Sequence, residues 1–429
     1  MCYIAVILAC VIGFGGGDRA EDVGGRIPEG PWRAWLDSPG RELPFGLELK
    51  AEGGVWRAWV INGSERLDVP KVTVVGSEIT LAFPHYGSAI RATLSADGSR
   101  LDGEWNKRGR NDRVVKLAFH ATAGAAPRFP PPVDGADACR SGAAVAGRWS
   151  MKFDQDPDAC VGVFEASDGG VAGTVLTPTG DFRFLAGDFC SEKSGAEKRP
   201  GRLRLSAFDG AHAFLITAST QDGETLKGDF WSGDIFHDTW TGKRDAGAAL
   251  PDAFEQTKGV EGVKLETIVF PDLTGTKRPL SDPMFAGKAR VLEVFGSWCP
   301  NCNDASQYLV ELHKKYKDRG LSIVGLAFEY SGDFQRDAEQ VRAFAAYHKI
   351  EYPLLLAGVA DREKASAALP LIDALRAFPT LIVLDAAGKV RAVYTGFSGP
   401  ATGTEYDQFR VKFESLIEEL LGSQKSGPG

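Results

Sequence analysis

The chain has 429 residues, too many for one hydrophobic core, so two to four domains are expected. Its apolar share of 43% is that of an ordinary globular protein, and its formal charge of −8 comes without a basic stripe, which argues against nucleic acid as a partner. The 51 glycines lie mostly ahead of Ala249 and mark a turn-rich β region before something different begins.

The N-terminus runs apolar from Met1 to Phe14 and then reads Gly15-Gly-Gly-Asp18. Such a run fits the core of a secretory signal over residues 1–20 and is short for a membrane span. The basic residues that usually precede such a core are missing, as they would be if the start lay further upstream. Ile7-Leu-Ala-Cys10 is also similar to a bacterial lipobox, in which Cys10 would carry a lipid anchor; the alternative is a plain signal with an incidental cysteine. No later segment is apolar for long enough to span a bilayer.

Residues 29–124 alternate apolar and polar in short runs: Trp32–Leu36, Phe45–Leu49, Val55–Val60, Lys71–Val75, Ile79–Phe83, Ile90–Leu94, Leu101–Trp105 and Val114–Phe119. Asn62-Gly63, Asp97-Gly98 and Asp102-Gly103 are turn signals between them. Period-two alternation broken every few residues predicts an antiparallel barrel or sandwich. A proline-rich stretch, Pro127 to Val133, reads as part of a linker over residues 125–140. The pattern then repeats over residues 141–246. Gly147-Arg-Trp149 matches Gly30-Pro-Trp32, Gly169-Gly-Val171 matches Gly53-Gly-Val55, and Leu226-Lys-Gly-Asp-Phe-Trp231 matches Leu101-Asp-Gly-Glu-Trp105. Two related β modules of about eight strands follow, enough to close a small barrel each.

The aromatic residues Trp32, Trp35, Trp56, Trp59, Trp105, Trp149, Trp231 and Trp240 read as core at strand spacing, with a ligand cleft as the sharper alternative. His237-Asp238 reads as surface rather than as part of a metal site. Of the seven cysteines, Cys2 and Cys10 belong to the leader, and Cys139, Cys160 and Cys190 lie in the β region. Export permits disulfides. Three candidates leave one over; Cys160 with Cys190 is the preferred pair, because both fall in strand-like runs, and three free thiols is the alternative.

A second linker spans residues 247–262, and from 263 to 422 strands alternate with helices, the pattern of an α/β domain. Val263–Phe270 is expected as a strand. Residues 302–317 are expected as a helix burying Ala305, Tyr308, Leu309, Leu312 and Tyr316. Leu321–Phe328 reads as a buried strand and Asp333–His348 as a helix burying Ala338, Val341 and Phe344. Thr380–Asp385 and Val390–Tyr394 read as a hairpin. A last helix, near 405–422, presents Phe409, Phe413, Leu416, Ile417 and Leu420.

Between the apolar run Val291–Phe295 and the first of these helices stands Trp298-Cys-Pro-Asn-Cys302. Two cysteines two residues apart at a strand-to-helix junction place the first sulfur at the positive end of the helix dipole, where a thiolate nucleophile is favoured. A zinc site needs two further ligands, and the six histidines are scattered singly. Glu293 interrupts the apolar strand six residues before Cys299.

With Phe270-Pro-Asp-Leu-Thr-Gly275, Phe378-Pro-Thr380, Asp385-Ala-Ala-Gly388 and Gly396–Gly403, residues 263–422 resemble the thioredoxin-fold disulfide reductases of the TlpA/ResA type, exported bacterial proteins. The whole chain is then multidomain α+β, two antiparallel β modules followed by a C-terminal α/β thioredoxin fold. The resemblance implies that Cys299 attacks from an exposed position and Cys302 resolves the mixed disulfide. It implies that Pro379 is a cis-proline facing the dithiol, that Phe378 and Thr380 flank the bound substrate chain, and that Trp298 packs beside the sulfurs. Thioredoxins carry a buried acid where Glu293 stands, so Glu293 is expected to take the Cys302 proton. The glutamate that ResA-like proteins carry three residues after the second cysteine is here Ala305; Asp304 points elsewhere around the helix. Glu329 could approach the site, but a surface role is the expectation.

The implied function is reduction of disulfides in exported proteins, in the periplasm or cell envelope, with electrons from a membrane dithiol donor and no obligatory cofactor. Three competitors stand. The same residues could run as an oxidase. A peroxiredoxin would need a proline and a threonine shortly before its cysteine, and Glu293–Trp298 has neither. A β-barrel ligand-binding protein with a redox-sensing dithiol is the third.

Overall fold

The computed structural model describes residues 27–130, 142–167, 170–194 and 197–422. The leader call on residues 1–20, Cys139 and most of the first expected linker lie outside the described residues.

The first β module is a nine-stranded antiparallel meander in which the first strand, Gly30–Ser38, returns to pair with the last, Val114–Ala123 (Trp32 opposite Ala123, Leu36 opposite Phe119). Its two free edges, Glu65–Asp68 and Lys71–Val75, are consecutive in the chain, so the sheet curls into a nearly closed barrel. The second module is also a nine-stranded sheet whose first strand, Gly147–Phe153, pairs with its last, Phe236–Arg244. Here Ala159–Ser167 also pairs with Gly170–Thr177, which closes the ring and leaves the two-residue strand Gly180–Asp181 outside it.

The sequence repeat has a physical basis in both modules. Trp32 and Trp149 each donate their indole N–H to a carbonyl four residues upstream, Pro28 at 3.1 Å and Val145 at 2.8 Å. Gly103 and Gly228 sit where a Cβ would lie 1.9 Å from a neighbouring strand's carbonyl oxygen, Arg91 and Thr217 respectively, so only glycine lets those strands pair. Trp32, Trp105, Trp149 and Trp240 fill the two interiors, Trp59 is buried beneath the Arg57 and Arg66 guanidinium groups, and Trp35, Trp56 and Trp231 are half-buried. His237 is exposed and bonds Asp229, whereas Asp238 is buried and caps the Gln155 and Thr239 amides.

The modules share one core. Phe208 of the second stacks on Phe45 of the first (ring centroids 4.6 Å apart) and meets Trp105 edge-on. Arg128, from the expected linker, is pinned between them, donating to Ile61 O, Asn62 Oδ1, Ser206 O and Ser206 Oγ. The preferred cysteine pairing is corrected. Cys160 is a free, buried thiol, whereas Cys190 is disulfide-bonded, so the two are not paired with each other. Sharing a strand-like texture does not bring two sulfurs within bonding reach.

In the C-terminal domain, a five-stranded sheet runs β3-β2-β1-β4-β5, with β1 (Ala289–Phe295), β2 (Leu321–Glu329), β3 (Leu354–Val359), β4 (Thr380–Asp385) and β5 (Val390–Thr395). β1 is parallel to β2 and antiparallel to β4. On one face, α1 (Pro300–Tyr316), α2 (Phe334–His348) and α4 (Thr404–Leu421) pack over Val291 and Phe295. On the other, α3 (Arg362–Ala368) and residues 263–285 pack over Leu292 and Val294. All five expected inward residues of α1 are buried, as are Ala338, Val341 and Phe344 of α2.

One expected strand is not formed. Val263–Phe270 divides into a 3-10 turn, Leu265–Thr267, and a short strand, Val269–Pro271, that pairs with Lys277–Pro279. Its backbone groups bond locally instead, Thr267 N–H to Lys264 O and Ile268 N–H to Leu265 O. Alternation in the sequence was real, but the segment lies outside the main sheet, and among the described residues no strand pairs with Val263–Thr267. Among the described residues, no helix is long and apolar enough to cross a membrane.

Candidate active site

Every residue of β1 is buried, and the chain leaves it through Gly296-Ser297-Trp298 to start α1 at Pro300. Proline suits that first helical position because no amide hydrogen is needed there. Cys299 is the N-cap: its Sγ accepts the Cys302 amide hydrogen at 3.4 Å. The sulfur therefore sits where unpaired helix N–H groups favour negative charge, as the motif predicted. Cys302, one turn on, is fully buried, and desolvation, with Cys299 and Glu293 nearby, pushes its thiol well up.

The Phe378–Pro379 bond is cis, and Cys299 Sγ lies 3.5 Å from Phe378 O. Thr380 is buried and its hydroxyl donates to Ala377 O. Trp298 stacks on Tyr330 at 4.7 Å, meets Phe378 edge-on at 5.5 Å and donates to Phe328 O. The structure thus brings Trp298, Cys299, Cys302, Phe378, Pro379 and Thr380 together.

Glu293 is fully buried on the helix-facing side of β1, because it alternates with Val291 and Phe295. Ser306 Oγ and Tyr352 Oη both donate to its carboxylate, the latter at 2.9 Å. Burial outweighs those bonds and raises its pKa to about 7. Ser306 is legible in hindsight as a polar residue in the apolar face of α1; Tyr352, just before β3, carries no such signal.

Two expectations are corrected. Cys299 is only 6% exposed, because segments of both β modules lie over the motif. Arg110 of the first module lies over the Tyr330 ring, 5.5 Å from its centroid, and that ring in turn stacks on Trp298. Asn301 of the motif donates to Asp181 O of the second module at 3.1 Å. Glu329 is not a surface residue: it is 3% exposed at the end of β2, and its carboxylate accepts from Ser297 N at 2.8 Å and Ser297 Oγ at 2.7 Å. Burial raises its pKa to about 8. The nearby acid Asp304 does not face the dithiol but pairs with Arg183 of the second module, leaving Ala305 buried where the family acid would stand. Sequence reading missed Asn303, whose Nδ2 donates to Cys299 O at 3.0 Å and whose Oδ1 lies 2.7 Å from His348 Nε2.

A cis-proline opposite a helix-capping dithiol on this sheet is the arrangement of a thioredoxin fold, and residues 247–408 match the Redoxin family. More particularly, the domain is similar to ResA proteins. It is 30% identical over 129 residues to the thiol–disulfide oxidoreductase ResA of Bacillus thuringiensis subsp. konkukian, covering 30% of this chain and 66% of that protein. The chain therefore spans just under two thirds of the length of that relative. It is also 26% identical over 136 residues to the thioredoxin-like protein YneN of Bacillus subtilis, covering 32% and 72% of the two chains. Among solved structures, a thioredoxin-family thiol:disulfide interchange protein from Chlorobium tepidum is similar over 36% of this chain and 92% of its own, at 23% identity and a TM-score of 0.27.

Proposed function

We propose that this chain is an exported oxidoreductase that reduces protein disulfides through Cys299 and Cys302. The observation that carries the reading is the placement of Cys299 Sγ, at once the cap of α1 and 3.5 Å from the carbonyl that precedes cis-Pro379. In the reaction, the Cys299 thiolate attacks one substrate sulfur; the substrate S–S bond breaks, and the other sulfur leaves as a thiolate. Cys302 then loses its proton to Glu293 and attacks Cys299 Sγ. The second substrate thiol is released and a Cys299–Cys302 disulfide remains, so the substrate has gained two electrons and the enzyme has lost them. Phe378 aligns the substrate chain and Trp298 and Thr380 shape its surroundings. A dithiol donor in the membrane restores the reduced pair. The leader exports the chain to the periplasm or cell envelope, and Cys10 can tether it by lipid.

Dithiothreitol-driven reduction of a protein disulfide such as insulin tests this reading. The wild type is expected to turn over, and Cys299→Ser and Cys302→Ser are expected to be inactive. Equal rates in the wild type and both variants would contradict it.

A further inference from the structure

We propose that the two β modules form an autoinhibitory cover over the dithiol, latched at Arg183, which must open to admit a protein disulfide. The proposal rests on the reading of Cys299–Cys302 as the redox pair. A protein substrate has to bring a sulfur to Cys299 Sγ and lay its chain beside Phe378, yet Cys299 is 6% exposed while both thiols are reduced and ready to act.

The second module closes one side. Its Gly180–Asp181 strand lies on the motif so tightly that a Cβ on Gly180 would come within 2.7 Å of the Asn301 side chain. The Asp181 carboxylate accepts the Gly399 amide hydrogen at 2.6 Å, which ties the same strand to the far side of the site. Behind it, the buried Arg183 guanidinium joins three domains, reaching Glu65 of the first module at 2.7 Å, Asp209 of the second at 3.1 Å, and Asp304 on α1. The first module closes the other side: Gln340 of α2 donates to Pro84 O and His85 O, and His85 stacks on Tyr347 at 3.8 Å.

These contacts differ in kind from those that hold the modules to each other. Phe208 and Leu215 of the second module sit inside the first module's core, so the pair moves as one body. Among the described residues, neither apolar core of the redox domain takes in a side chain from residues 27–245. A polar joint of this kind allows domains to separate. A buried ion cluster fixes geometry more than it adds net stability, so it suits a latch rather than a weld.

The test is the rate at which iodoacetamide alkylates Cys299 in the reduced full-length protein, located by mass spectrometry, beside the rate of insulin reduction. Two variants are compared with the wild type: Arg183→Ala, and the double variant Gln340→Ala with Asp112→Ala, which removes the bonds from Gln340 and Arg336 of α2 to the first module and keeps the test open if loss of Arg183 prevents folding. Both rates are expected to rise roughly five- to thirtyfold, the factor carried by one or two lost contacts. Faster alkylation with no insulin reduction in any form would uphold the cover and sink the redox reading. Insulin reduction and alkylation at the same rate in all three proteins would keep the redox reading and overturn the cover.

Discussion

The Tyr352 hydroxyl donates to the Glu293 carboxylate at 2.9 Å, in the dry space between β1 and the redox helix. With a pKa raised to about 7 by burial, Glu293 is half ionised near neutrality and able to accept the Cys302 proton. Glu293→Gln keeps the shape and the two hydrogen-bonding neighbours but removes the base. Resolution of a mixed disulfide is expected to slow on the order of 100-fold at neutral pH. Its rate should also lose the rise through pH 7 that the wild type shows in single-turnover thiol release. An unchanged profile would assign Glu293 to structure alone.

Stability should depend on pH in both directions. The carboxyls of Glu293 and Glu329 stand at about 7 and about 8, above the ordinary 4.5, so their contribution is complete below 4.5 and is lost as pH rises through those values. Burial lowers His85 and His348 from 6.5 to about 3, so their contribution is present above 6.5 and is lost as pH falls towards 3. Thermal unfolding of the reduced protein should therefore be latest between the carboxyl value of 4.5 and the histidine value of 6.5. The double variant Glu293→Gln, Glu329→Gln should flatten the alkaline limb. A Tm that climbs steadily to pH 9 would contradict this.

Glu329→Ala leaves the Ser297 amide buried without its acceptor, which costs about 1–3 kcal/mol. Denaturant unfolding should show that loss, and Glu329→Gln should recover most of it by keeping an acceptor oxygen. Equal stability of the two variants would mean that the Ser297 bonds are dispensable.

Peptide mapping without reductant should find Cys160 as a free thiol and Cys190 in a disulfide. Burial pushes the Cys160 thiol up to about 12, so native alkylation there should be slow, and Cys160→Ser should leave insulin reduction unchanged. A Cys160–Cys190 cross-linked peptide would refute this assignment.

What the sequence made legible was periodic and local. Alternation located strands of the first module, the match of Gly228 to Gly103 exposed the second as its relative, and the spacing of Tyr308, Leu312 and Tyr316 gave the inner face of α1. The dithiol at a helix start was also readable, as a short motif with its own mechanics, and the cis-proline opposite it followed from the family resemblance; that Cys299 caps the helix was not read. Contacts between distant segments were not. Nothing near Arg183 in the sequence announces Glu65 or Asp304, and nothing about Glu329 says that its strand ends beneath Ser297. The covered state of Cys299 is of the same kind: a motif fixes what a sulfur can do, whereas packing between domains decides what can reach it.

In the proposed reaction, electrons pass through Cys299 first and Cys302 second. The most direct measurement incubates the reduced Cys302→Ser variant with a protein disulfide and analyses the product by intact-mass spectrometry and peptide mapping. A covalent adduct on Cys299, released by dithiothreitol and absent from Cys299→Ser, is the predicted result. No adduct on Cys299, or an adduct of equal yield on Cys160, would contradict the claim.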